Sequence, residues 1–194
     1  MPETIYLTGA AATGKSTLSR SLAHDKGCAV FEYGAEVLKR ASVIHPGLTH
    51  ADTRKDPKRF IDPGHIDATD DALQRFIAEF RNDRHVIIDS RPLTREPYGF
   101  RAVPFTRERL AGAGLTRVVV LTCPPEILIE RRASDPDGRP ELGRWEAETE
   151  LNLLQSLAMS YAINCGIPIH FLDCSPSPEE VRRAFLNLLG SSSY

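Results

Sequence analysis

Residues Gly9-Ala10-Ala11-Ala12-Thr13-Gly14-Lys15-Ser16 fit the spacing GxxxxGK[ST] at every fixed position. The apolar run Ile5-Tyr6-Leu7-Thr8 precedes them, and a segment of helical period from about Lys15 to Lys26 follows. That context matters, because the spacing has a physical meaning only between a strand and a helix. Glycines let successive backbone N–H groups converge on one anion, and the helix N-terminus adds the positive end of its dipole. Lys15 can reach the β- and γ-phosphates of a bound triphosphate, and the Ser16 hydroxyl is placed to ligate Mg²⁺. Gly9, Ala10, Ala11, Ala12, Thr13, Gly14, Lys15, Ser16 and Thr17 are therefore the candidate ligands for ATP.

The rest of the chain alternates strand-length apolar runs with helical periods, which predicts an α/β fold built on a parallel sheet with crossover helices. Ala29–Glu32, His85–Ile88, Arg117–Thr122 and Ile169–Leu172 bring the strands to five. Helices are expected over about Ala35–Ala41, Gly64–Arg81, a segment opened by Pro124-Pro125, Arg144–Cys165, and from near Pro178. Arg91–Phe105 carries Pro92, Pro97, Gly99 and Pro104 and reads as a loop, and His45–Pro63 as an irregular basic stretch. Ser134–Gly143 is a polar, turn-rich excursion, and Trp145 beside it is expected to pack the long helix onto the core. One P-loop domain over residues 1–190 follows, with a fraying tail at 191–194.

Among 194 residues, 24 basic and 26 acidic side chains leave a formal net charge of −2. Such a chain has no bulk electrostatic reason to coat nucleic acid or an acidic membrane. No apolar stretch approaches the length of a membrane span, and Met1-Pro2-Glu3 runs straight into a strand without a signal peptide, so a cytoplasmic protein is expected. Cys28, Cys123, Cys165 and Cys174 lack the spacing of a metal site and read as scattered thiols. The histidines lack an HExxH pattern, and His45, His50 and His65 read as loop residues.

A P-loop fold also needs an acidic residue at the end of a second strand, to position Mg²⁺ with Ser16, and Asp89 closes the run His85–Ile88. No NKxD segment is present to read guanine, and the one DxxG string, Asp135–Gly138, follows a helix. Arg131, Arg132 and Arg139 lie where a small kinase wants a lid, at about residues 131–144. Guanidinium forks suit phosphate oxygens and would neutralise charge on a migrating phosphoryl group. Arg131 and Arg132 would equally cap the dipole of their own helix. The candidate catalytic set is Lys15, Asp89, Arg131, Arg132 and Arg139.

With these residues in place the chain resembles the adenylate kinases of archaeal type, within the nucleoside monophosphate kinases, over about residues 4–172. Pro97-Tyr98-Gly99-Phe100 with Pro104 echoes that group's PKGY…P segment, and Tyr33-Gly34 its start of the acceptor-binding helix. Arg54-Lys55-Asp56-Pro57, Glu126-Ile127-Leu128, and Ala158-Met159-Ser160-Tyr161-Ala162 with Gly166 are similar too. The resemblance implies strand order 2-3-1-4-5, ATP with Mg²⁺ as donor, a nucleoside monophosphate such as AMP as acceptor, and a trimer. It places the acceptor between about residues 33 and 104, with Tyr33, Gly34, Arg54, Arg91 and Phe100 as candidate contacts. For Tyr33 and Phe100 base stacking and plain packing both fit; for Arg54 and Arg91 an acceptor phosphate and ordinary surface charge both fit.

The departures fall outside the donor loop. Ser90-Arg91 stands where the group has Thr-His, the stretch from His45 to Pro63 is richer in Pro, Gly and His, and the lid holds fewer arginines. Three functions stay open: a nucleoside monophosphate kinase, a kinase for a small-molecule hydroxyl, and an ATPase whose nucleotide state controls a protein partner. A hydroxyl acceptor would need a general base, and Asp89 is the natural one.

Overall fold

Strand β1 (Thr4–Gly9) is buried at every position, as expected of a central parallel strand covered on both faces. In this computed structural model, which describes residues 1–49, 52–53, 57–135 and 141–190, β1 is followed by α1 (Lys15–Ala23), β2 (Cys28–Glu32) and α2 (Tyr33–Ile44). Then come α3 (Pro57–Phe60), α4 (Pro63–Phe80) and β3 (His85–Asp89). A hairpin of β4 (Leu93–Glu96) and β5 (Gly99–Ala102) leads to α5 (Arg107–Ala113) and β6 (Arg117–Thr122). The chain closes with α6 (Pro125–Ala133), α7 (Arg144–Cys165), β7 (Ile169–Asp173) and α8 (Pro178–Gly190).

The main sheet has five strands in the order β2-β3-β1-β6-β7, all neighbours parallel. Once the separate hairpin is set aside, this is the order 2-3-1-4-5 that the resemblance implies. Alternation along the strands divides the core. Ile5, Leu7, Ile87, Val119 and Leu121 meet Leu18 and Leu22 of α1 and Val181 and Phe185 of α8. Tyr6, Val86, Ile88, Val118 and Val120 meet Leu73 and Ile77 of α4, Leu110 of α5, and Ala158, Tyr161 and Ala162 of α7. Phe185 is wholly buried, so Phe185→Ala should lower the unfolding free energy by about 3–5 kcal/mol in chemical denaturation, through lost transfer energy and an unfilled cavity.

Arg91–Phe105 is not simply a loop. Leu93 pairs with Ala102 and Glu96 with Gly99 in the antiparallel hairpin, and the breakers lie at its margins: Pro92 before it, Pro97 in the turn, Pro104 after it. Helix α5 carries no long apolar period, yet its ends are well marked. Thr106 accepts the Arg109 N–H at the N-cap, and Gly114 closes the helix at φ 58°. Trp145 is 71% exposed and does not pack α7 onto the core; Ala147, Leu151 and Leu154 do. Asp62, at the end of the basic stretch, and His65 cap α4 reciprocally: the Asp62 carboxylate accepts the His65 N–H, and His65 Nδ1 accepts the Asp62 N–H, so His65 is a buried helix residue and not a loop one. No helix among the described residues is long and apolar enough to cross a membrane.

Candidate active site

The turn between β1 and α1 is held open by geometry that its sequence requires. A methyl group on Gly9 would lie 2.8 Å from Thr13 Oγ1 and 3.0 Å from Leu121 Cβ, too close for either neighbour to stay. Gly14, at φ 83°, takes the left-handed conformation at the mouth of α1. Ala12 is also left-handed, at φ 76°, which costs a residue with a Cβ about 1–2 kcal/mol. The turn is tied by Thr13, whose N–H and hydroxyl both donate to the Ala10 carbonyl, at 3.2 and 2.8 Å. Ser16 and Thr17 are exposed in the first turn of α1. Gly9→Ala should weaken triphosphate binding about tenfold or more, as an overpacked loop gives up its backbone geometry; titration calorimetry would read it.

Lys15 forms an ion pair with Asp89, and the Ser19 hydroxyl donates to the other carboxylate oxygen. The parallel register explains the meeting, because Leu7, two residues before the turn, lies opposite Asp89. Asp89 is 5% exposed, and its carboxylate is balanced by the ammonium and the hydroxyl. Thus the strand-end acidic residue and the P-loop lysine do come together.

Arg131 and Arg132 point in different directions, and both reach beyond their own helix. Arg131 donates to the Ser175 carbonyl at 3.2 Å and lies 4.0 Å from Cys174 Sγ, bracing the segment after β7. Arg132 is buried and turns to the P-loop, donating from Nε to the Ala11 carbonyl at 3.3 Å and pairing with Glu150 of α7. Glu150 also accepts the Ala11 N–H at 3.3 Å, and Arg91 stands 3.8 Å from the same carboxylate. Arg139 lies outside the described residues, as do residues 136–140 of the lid.

On the acceptor side Tyr33 opens α2, and its hydroxyl donates to Asp70 at 2.8 Å while its ring meets Phe105 edge-on. Burial, then the bond to Asp70, raises the phenol well above its ordinary range, and burial likewise raises the Asp70 carboxyl. Arg109 pairs with Asp70 at 2.9 Å. Tyr33 is thereby committed to packing and to Asp70. Phe100 is half-buried against the core. Gly34 stands in the first turn of α2 with nothing within 4 Å of an added Cβ, and Arg54 lies outside the described residues.

A family model described as an AAA domain matches residues 5–151, most of the chain. The chain belongs to that family. Similar solved structures include the tunicamycin resistance protein of Deinococcus radiodurans, with TM-score 0.61 and 19% identity over 99% of this chain and 98% of that one. A sugar kinase from Janibacter sp. HTCC2649 aligns with TM-score 0.53 and 17% identity over 98% of this chain and 95% of that one. A gluconokinase from Sinorhizobium meliloti 1021 gives TM-score 0.52 and 18% identity over 99% and 98% of the two chains. At such identities the likeness establishes a shared fold. No curated protein matches the chain.

This family member carries two site residues that the sequence motifs do not mark. Ser19 lies three residues after Ser16 on the buried side of α1, a spacing that puts it one turn along the helix. Glu150 falls among Ala147, Leu151 and Leu154 on the buried stripe of α7; a carboxylate in an apolar period was the legible sign. The donor set near the cradle also suits Mg²⁺. Ser16 and Asp89 offer hard oxygens, and no cluster of three His, Cys, Asp or Glu is found among the described residues. Mg²⁺ typically takes one or two protein oxygens and completes its shell with phosphates and water, which is what this pair could serve.

Proposed function

We propose that the chain is an ATP- and Mg²⁺-dependent kinase that phosphorylates a hydroxyl of a small metabolite. One observation carries the choice of acceptor: each arginine between β3 and the end of β5 lies against a carboxylate. Arg91 faces Glu150, Arg95 pairs with Glu146, and Arg101 pairs with Glu96 at 2.8 Å. An acceptor phosphate calls for a clamp of guanidinium groups, whereas a hydroxyl calls for a base. Asp89 stands ready as that base. The similarity to a sugar kinase and a gluconokinase supports the same reading.

The backbone N–H groups of the turn from Gly9 to Ser16 hold the polyphosphate, and Lys15 leaves Asp89 for its terminal oxygens. Asp89 Oδ1 then becomes available to take the proton of the acceptor hydroxyl, while Oδ2 keeps its bond from Ser19. Ser16 directly, and Asp89 through a water, would hold Mg²⁺, which would neutralise phosphate charge. Arg139 is proposed to face the migrating group from the lid side, whereas Arg131, held by Ser175, braces the segment after β7. A neutral hydroxyl compound suits a base beside which Arg91, Arg95 and Arg101 already face carboxylates.

The test follows ADP formation from ATP–Mg²⁺ with panels of sugars, sugar acids, nucleosides and nucleoside monophosphates. Turnover that requires a hydroxyl compound supports the proposal. Rapid ADP formation dependent on AMP would replace it with the nucleoside monophosphate kinase suggested by Pro97-Tyr98-Gly99-Phe100. Hydrolysis indifferent to every acceptor, yet stimulated by a protein partner, would favour the regulatory ATPase.

A further inference from the structure

Glu150 is 3% exposed on α7, and its carboxylate has no part in the transfer chemistry outlined above. Its partners are specific. Through Oε1 it accepts the Ala11 N–H, through Oε2 it holds Arg132, and Arg132 Nε closes the figure on the Ala11 carbonyl. Both polar groups of one P-loop residue are therefore gripped by a single buried ion pair. The next residue is Ala12, in a left-handed conformation that its Cβ opposes. Strained backbone of this kind persists only where its surroundings over-determine it.

A buried ion pair is a poor way to add stability, since two charges must be stripped of water; well-packed apolar replacements are often as stable. The pair must therefore be valued for what it positions. Arg132 is on the last turn of α6 and Glu150 in the second turn of α7, so the two helices that flank residues 134–143 are joined at Ala11. We propose that Glu150 is a positioning residue: acting through Ala11 and Arg132, it sets the left-handed turn at Ala12 before a triphosphate arrives, and so governs affinity for the donor. This rests on the reading of the turn as a triphosphate cradle.

The stability and the affinity of a neutralised pair should part company, and a glycine at position 12 should repair only the affinity. In calorimetry with ATP and Mg²⁺, Glu150→Gln combined with Arg132→Gln is expected to bind about tenfold or more weakly, with a melting temperature above that of either single variant. Adding Ala12→Gly, which removes the strain the pair is there to hold, should bring affinity back to within about threefold of wild type. Should the doubly neutral chain not fold, Glu150→Asp keeps the charge but draws the carboxylate back from Ala11, and the same loss and the same rescue by Ala12→Gly are expected. Wild-type affinity in the variant, or a loss that Ala12→Gly leaves untouched, overturns the proposal while the cradle stands. A wild-type chain that takes up no triphosphate overturns the cradle and the proposal together.

Discussion

Lys15→Ala is expected to lower ADP-forming turnover by about 10²–10³-fold, the loss typical of removing one pre-aligned donor from a site of developing charge. Lys15 is the cradle's only ammonium group, and its partner Asp89 is only 5% exposed. Truncating it therefore does two things at once. The phosphates lose a cation, and Asp89 is left buried with the Ser19 hydroxyl as its remaining partner. The second effect costs stability, because a carboxylate stripped of its counter-charge is strongly disfavoured away from water. Lys15→Ala combined with Asp89→Asn separates the two. Neutralising both partners should return the melting temperature toward that of the wild type, while turnover stays low. If activity survived in Lys15→Ala, the cradle assignment would be wrong.

The second large effect concerns the acceptor. Asp89→Asn should reduce turnover on a hydroxyl acceptor by about 10²–10⁴-fold, the range over which a positioned general base contributes. Asparagine keeps the size of the side chain and can still accept from Ser19, but it strands the Lys15 ammonium, so a lower melting temperature is expected beside the loss of turnover. Affinity for ATP with Mg²⁺ should fall modestly, because one of the two groups proposed to hold the metal has lost its charge. The signature is a fall in kcat much larger than the rise in KM for ATP. A rise in KM alone, with kcat intact, would mean that Asp89 serves binding and not proton transfer.

The sheet was legible because its signals are local. Val118 to Leu121 form an uninterrupted apolar run, as a strand covered on both faces should, and Gly9 to Ser16 require a strand before and a helix after. The hairpin was hidden because four breakers within a short span look like a loop, although they fall at its ends and in its turn. Helix α5 is too short to show a period, and only Thr106 and Gly114 announce it. Trp145 illustrates the converse: a large apolar side chain is no guarantee of burial, and its helix buries a different stripe.

For the site, the pairing of Lys15 with Asp89 follows from strand-end chemistry that residue types reveal. Arg132 was visible as a guanidinium near the lid, but its direction toward Ala11 depends on how α6 packs against α7, which no spacing encodes. Glu150 and Tyr33 show the same limit. Their partners lie 139 and 37 residues away, and only the assembled layers bring them together.

Titration calorimetry of the purified wild-type chain with ATP, with and without Mg²⁺, tests the central claim most directly. Saturable uptake of one triphosphate per chain, lost when the metal is chelated and lost again in Lys15→Ala, is the predicted result. Absence of binding by any nucleoside triphosphate in the presence of Mg²⁺ would contradict it.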